Sequence, residues 1–291
     1  MDSTALIVWH SFLQSDLPDQ QNSLLHCISP ELFEQLQSQP LPLQNLQRGF
    51  EPIEEELSRI HYSWLAPILR SFPENEIKLF LSCLSPEQIN GLKQSLLLSN
   101  ALPTTSSTGQ TFIKKTFFEM LAIEDLIPIP CLPADPLNCL LDLSLDELIS
   151  LIDLLSMHDL SVEIRHIIET TKLKEIYALL TKAQTTFLKT LLHKKEAVTF
   201  KKMGLIAWNG DREALRFLLL QRGVNRIAKS LYGRHPSLLW YVAHRLDAEQ
   251  GQLLIKLCTA LDHPRASALL GEQVVELMSA LKANNASTDK Y

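Results

Sequence analysis

Helix starts recur along this chain at intervals too short for long helices, and that recurrence limits the fold more than any other feature. Ser85-Pro86-Glu87-Gln88, Ser144-Leu145-Asp146-Glu147 and Thr181-Lys182-Ala183-Gln184 share one device. Each places a hydroxyl where it can accept from the free amides of a first turn, with a Glu or Gln three residues on to reach back. Ser29-Pro30-Glu31 offers the hydroxyl with proline at the first helical position and an acid at the positive end of the dipole. Asp247-Ala248-Glu249-Gln250 resembles the box with Asp as cap. Helices this short are marginal alone, so their apolar stripes must be buried against one another. Leu dominates the apolar positions and glycine is limited to 9 residues; Leu loses little rotamer freedom in a helix. The expected fold class is all-α, built of stacked short helices, with an armadillo-like array in the C-terminal half and a helical N-terminal domain.

Residues 1–98 read as that N-terminal domain. A first helix over Thr4 to Gln14 carries Leu6, Ile7, Trp9 and Leu13, and Pro40-Leu41-Pro42 is an extended loop. A longer helix opens at Ile53 with Glu54, Glu55 and Glu56, reaches Trp64 and meets Pro67, which must kink or end it. Another spans Pro73 to Cys83. Residues 99–134 read as a linker: Ser99 to Gln110 is rich in Ser, Thr and Pro, a helix follows from Phe112 to Ala122, and a proline-rich crossover begins at Pro128. The array covers 135–283. Leu145, Leu148, Ile149, Ile152 and Leu155 mark one core face, and Ile164, Ile167 and Ile168 the next, with a break at Asp159-Leu160-Ser161. The last helix runs from about Arg265 to Ala283, and residues 284–291 are expected to fray.

Gly204 to Leu254 concentrates the features of an interaction surface. Three short amphipathic helices follow one another, separated at Gly210-Asp211, Gly223 and Gly233-Arg234-His235-Pro236. Leu215, Leu218 and Leu219, then Val224, Ile227 and Leu231, then Leu238, Leu239 and Val242 form the apolar faces; Arg212, Arg216, Arg222, Arg226, Lys229, Arg234 and Arg245 occupy the others. The charge distribution sharpens this pattern. Residues 1–171 hold 8 Lys/Arg against 23 Asp/Glu, a net −15, whereas 172–245 hold 15 against 4, a net +11. So basic a segment in an acidic chain suits an acidic surface, either a partner's or that of the chain's own N-terminal half. The candidate partner-binding residues are Arg222, Arg226, Lys229, Arg234, Trp240, Tyr241 and Arg245, with the two aromatics as anchors. Nucleic acid is disfavoured by the overall charge of −6 and the Leu-rich helices.

No dinucleotide fingerprint, Walker loop, nucleophile elbow or zinc-protease motif occurs in the sequence. His235, His244 and Asp247 form the one cluster that could do acid–base work, and Cys258 with His263 a thiol–imidazole pair on paper, but capping and burial explain these residues more simply. The chain therefore reads as non-enzymatic, with no cofactor and no metal. Its five cysteines are odd in number and lack a CxxC, as expected of free thiols in a reducing compartment. Met1-Asp2-Ser3 lacks the positive start of a secretory signal, and no apolar run reaches spanning length.

The segment from Gly223 to Gly233, followed by Pro236-Ser237-Leu238, resembles the FliG family of flagellar motor-switch proteins. Those armadillo-like modules carry an A-K-A-L-x-G stretch before a helix and a small loop; here Ala228, Lys229, Leu231 and Gly233 stand at those places. Asp262-His263-Pro264-Arg265 echoes the family's E-H-P-Q element, and the resemblance spans roughly residues 135–283. The charged torque helix of the family has no equivalent. FliG-like chains without it are similar to the SctK-type adaptors of type III secretion sorting platforms and to the FliG-like secretion proteins of chlamydiae. The resemblance implies a non-catalytic cytosolic scaffold that links an inner-membrane ring to the sorting platform through helical protein–protein contacts. Its partners would be secretion-apparatus components at the cytosolic face of the inner membrane, with no nucleic acid and no direct membrane insertion. The implied location is the cytoplasm, or the inner-membrane periphery through a protein partner. The alternative is a helical regulator or effector that binds another protein outside a secretion machine.

Overall fold

The computed structural model describes residues 53–98, 102–263 and 265–288. The helices expected at Thr4 to Gln14 and from Ser29 lie outside the described residues, as does the Pro40-Leu41-Pro42 loop. The fold is all-α, with no strand among the described residues. In chain order the helices are α1 (Ile53–Ser58), α2 (Tyr62–Leu69), α3 (Glu74–Leu81), α4 (Pro86–Leu96), α5 (Ser107–Leu121), α6 (Leu145–Ile164), α7 (Thr170–Leu179), α8 (Lys182–Leu191), α9 (Arg212–Leu231), α10 (Pro236–Arg245), α11 (Ala248–Leu257) and α12 (Ala266–Thr288). Short 3-10 turns stand at Ile129–Cys131, Pro136–Asp142 and Leu205–Ala207. The chain forms two compact units: one takes the residues up to Asp135 together with His235–Ala248, the other Pro136–Arg234 and the residues from Glu249 on. α10, expected within the C-terminal array, thus belongs to the first unit.

The first unit buries Leu57, Leu65, Leu69, Leu81, Leu92, Ile113 and Phe117, with Phe80 edge-on to Phe117 at 4.5 Å. The helix expected from Ile53 to Trp64 is two helices. The chain turns at Arg59–His61, and His61 Nδ1 accepts from the Ser63 amide to start α2 afresh. α2 ends two residues beyond Pro67, in keeping with the carbonyl that proline leaves unpaired. Ser85 forms the capping box with Gln88, whose amide also donates to the Leu57 and Ile60 carbonyls at 2.8 and 2.7 Å. That side chain therefore starts α4 and ties it to the end of α1. Ser106 caps α5 by accepting from the Gly109 amide, so this helix begins inside the stretch expected to be linker.

The second unit is organised around α6 and α9, each 20 residues long. Both run through positions that read as breaks. Asp159-Leu160-Ser161 lies within α6, where the Ser161 hydroxyl donates to the His158 carbonyl and Asp159 meets a cation of α9. Gly223 lies within α9 for a different reason: a Cβ there would stand 2.0 Å from the Ile152 carbonyl oxygen and 2.7 Å from its Cγ2. Glycine is required by the close approach of the two helices, not by a turn. Ser144 and Thr181 form the expected capping boxes of α6 and α8. Ile164 and Ile167 are buried, but Ile168 is 97% exposed, because α6 has ended and the chain has turned toward α7. α12 continues to Thr288, past the expected end at Ala283.

Replacing Gly223 by alanine in an ordinary helix interior stabilises by roughly 0.5–1 kcal/mol. Here the substitution is expected to destabilise the second unit by about 1–3 kcal/mol, because the added methyl must push α9 off α6. Urea unfolding of Gly223→Ala against the wild-type chain measures the sign directly.

Candidate functional site

Buried and exposed charge meet in the second unit along the non-helical chain that joins α8 to α9. Side chains there alternate. Glu196, Val198 and Phe200 are partly or fully buried, whereas Lys195, Ala197, Thr199 and Lys201 are exposed. Glu196 has a side chain only 4% exposed. It accepts from His158 Nδ1 at 2.7 Å and from the Gln273 amide at 3.4 Å, with an Arg226 nitrogen 3.7 Å away. Burial pushes the Glu196 carboxyl up, but the hydrogen bond and charge of His158, the charge of Arg226 and the Gln273 amide outweigh it and hold the group below the ordinary glutamate value.

Arg226, on α9, is fully buried. Its guanidinium donates to Asp159 Oδ1 at 2.6 Å, Gln273 Oε1 at 2.9 Å and the Val198 carbonyl at 3.2 Å, and lies 5.4 Å from the centroid of the Phe200 ring. One side chain therefore joins α6, α9, α12 and the inward residues of the connecting segment. The set is not fully satisfied: among the described residues, Arg226 Nε, Asp159 Oδ2 and His158 Nε2 are buried without a hydrogen-bond partner. Two further side chains of the α6 end fix the same segment by its backbone. Glu163 accepts from the amides of Met203 at 2.8 Å and Leu205 at 3.4 Å, and Arg165 donates to the carbonyls of Leu191 and Lys194.

The candidate partner-binding residues are thus not one surface. Arg226 is internal. Lys229, 9% exposed, donates to the Thr259 carbonyl at 3.1 Å and its hydroxyl at 2.6 Å, closing the C-terminal end of α11. Trp240 and Tyr241 are core residues of the first unit, not anchors offered to a partner. Trp240 packs edge-on to Phe118 and Tyr241, and Tyr241 donates to the Ile127 carbonyl at 3.1 Å and to Glu56 at 3.3 Å. Burial, with Glu56 beside it, raises the Tyr241 phenol well above its ordinary range. Arg222, Arg234 and Arg245 are half-buried, and Arg222 and Arg234 lie in the second unit while Arg245 lies in the first. Arg212 and Arg216 are exposed, Arg216 paired with Glu213 at 2.9 Å, a solvent-facing pair of little worth. The expectation of a single cationic face on 212–245 is corrected: packing takes two of its seven cations, Arg226 and Lys229, into the second unit and both proposed aromatic anchors into the core of the first.

What sequence reasoning missed is the run before it. From Thr181 to Gly204 there are six lysines, at 182, 189, 194, 195, 201 and 202, and one acid, Glu196. All six lysines are exposed and the acid is internal. The signal available was the every-second placement of Glu196, Val198 and Phe200 between Lys195 and Lys201, which a search for helical spacing passes over.

The histidine cluster is not assembled. His235 caps the start of α10 by accepting from the Ser237 amide, and His244 sits near its end, roughly 13 Å along the axis. His244 lies between Trp64 and Trp240, each ring 4.1 Å away, with Nδ1 donating to the Trp240 carbonyl. Cys258 is half-buried with its thiol raised by burial against the opposing charge of Lys229, and His263 Nδ1 accepts from the Arg265 amide. Among the described residues no group of three or more His, Cys, Asp or Glu could hold a metal ion, and no helix is long and apolar enough to cross a membrane. No family description, no curated protein and no solved structure matches the chain.

Two outcomes follow from these buried charges. Arg226→Met, which leaves Asp159 without its cation and removes one of the charges beside Glu196, should cost about 3–5 kcal/mol in urea unfolding, whereas Arg222→Glu should cost within about 0.5 kcal/mol. Burial, only partly offset by the bond to the Trp240 carbonyl, lowers His244 from the ordinary 6.5 to about 4. The unfolded chain then binds the proton first, so stability is complete above pH 6.5 and falls as the pH drops toward 4, by on the order of 3 kcal/mol. Unfolding curves across that range should slope for the wild-type chain and flatten for His244→Phe.

Proposed function

We propose that this protein is a non-catalytic helical scaffold that recruits an acidic protein partner through the second unit. The observation that carries the reading is the exposed lysine run of 182–202, two of its cations on α8 and four on the following segment, while the one acid within the run is consumed in the core. A solvated face needs no such anchoring, whereas a surface that must meet a partner in one geometry gains from it. The placement in a type III secretion apparatus, between the inner-membrane ring and the sorting platform, rests on the resemblance of Ala228, Lys229, Leu231 and Gly233 to the FliG stretch. Structure gives those residues local reasons: Ala228 and Leu231 are core, Lys229 closes α11, and Gly233 has a φ of 78° just past the end of α9. The scaffold reading therefore stands on the lysine surface, and the secretion role on the motif.

Affinity capture of the full chain at native expression from its own cells tests both. Secretion-apparatus proteins should co-purify in near-equal amounts. Capture of an unrelated protein would replace the secretion role by that of a regulator or effector, and a chain that elutes alone would end the scaffold reading.

A further inference from the structure

A pocket of about 130 Å³ opens in the second unit beside the lysine run. Phe187 and Leu191 of α8 and Leu277 of α12 give it an apolar lining; Lys194 and Lys195 border it as exposed cations, and the His158 ring contributes to its wall. Leu191 and Leu277 are 3% and 6% exposed, so the apolar surface is recessed and not part of the open face. His158 is 7% exposed, donates from Nδ1 to Glu196 and keeps Nε2 without a partner. A polar nitrogen buried in that state is costly unless something completes it. Glu196, Gln273 and Glu276 also border the pocket, so an acidic ligand is attracted only at Lys194 and Lys195.

We propose that this pocket is the docking point for an acidic segment of a partner protein, which inserts one apolar side chain against Phe187, Leu191 and Leu277 while neighbouring carboxylates meet Lys194 and Lys195. The site rests on the scaffold reading above and specifies the kind of partner it takes. What favours a protein segment over nucleic acid or an anionic membrane is the recess itself: Phe187, Leu191 and Leu277 offer apolar carbon below the surface, which neither a phosphate backbone nor a layer of headgroups fills. The lysines contribute attraction and orientation, and the apolar recess contributes selectivity. The His158 ring stands in the pocket wall with its Nε2 shielded from solvent, so its surroundings report occupancy of the recess.

The experiment uses the full chain and a fluorescein-labelled peptide in which four glutamates flank one leucine, followed by anisotropy. The same peptide with serine for leucine, a single-stranded oligonucleotide and phosphatidylserine vesicles serve as competitors. The leucine peptide should bind, the serine peptide should bind several-fold more weakly, and Lys194→Glu with Lys195→Glu should weaken binding by about tenfold or more. Ala197, exposed and at the pocket wall, gives a second variant that leaves the charges alone: Ala197→Phe should fill the recess and abolish the difference between the two peptides. The His158 imidazole nitrogen resonances should move on peptide addition. Equal binding of the two peptides, tighter binding of the oligonucleotide or vesicles, binding that survives both lysine reversals, or no binding at all would overturn the site. Native capture separates the two claims. A partner still retained by the lysine-reversed chain leaves the scaffold and removes the pocket.

Discussion

A guanidinium with no exposed surface sets the assembly of the second unit. Taking Arg226 out of water costs several kcal/mol unless opposite charge and hydrogen-bond acceptors surround it, so the elements that supply them are not free to sit elsewhere. Asp159 brings α6, Gln273 brings α12, and the Val198 carbonyl and Glu196 bring the segment that follows α8. Gly223 lies one turn earlier on α9, and its missing side chain lets the helix backbone reach Ile152 of α6. The close approach and the charge pair belong to one face of one helix; a register slip between α6 and α9 would leave a methyl-sized clash and an unpaired charge together.

The surface lysines depend on that arrangement. Burial of Glu196, Val198 and Phe200 holds the stretch that carries Lys195 and Lys201 against the core, and both lysines are left exposed. Glu163 and Arg165 complete the hold by bonding the backbone at both ends of the segment. A loop with four lysines, at 194, 195, 201 and 202, would otherwise spread by self-repulsion. Here the repulsion acts against a backbone that the core already restrains, and the cations keep one spatial pattern.

Local signals were legible in the sequence and signals that depend on a neighbour were not. The capping boxes of Ser85, Ser144 and Thr181 form where they were read, because a cap needs only four consecutive residues. Gly223 and Asp159 read as breaks for the same local reason, and both turned out to serve the contact between α6 and α9. The excess of positive charge over 172–245 was plain, yet nothing in a linear pattern tells a cation that faces water from one that faces Asp159. His244 shows the limit from the other side: its neighbours in sequence suggested acid–base chemistry, but Trp64, 180 positions away in the chain, makes it part of an aromatic stack.

Lysines alone make a poor recognition surface. They are depleted at the centres of protein interfaces, where aromatic and arginine anchors dominate, because a flexible, strongly hydrated ammonium gives up entropy and hydration for one contact. In this chain the arginine and the aromatics that would have been the natural anchors, Arg226, Trp240 and Tyr241, are committed to the cores. What remains outside is long-range attraction without shape. Discrimination must then come from a feature that excludes water and has a fixed outline, and beside the lysines that feature is the recess between α8 and α12. The same buried network would supply both parts of the proposed site: it backs the segment that carries Lys194 and Lys195, and through His158 and Glu196 it builds one wall of the recess.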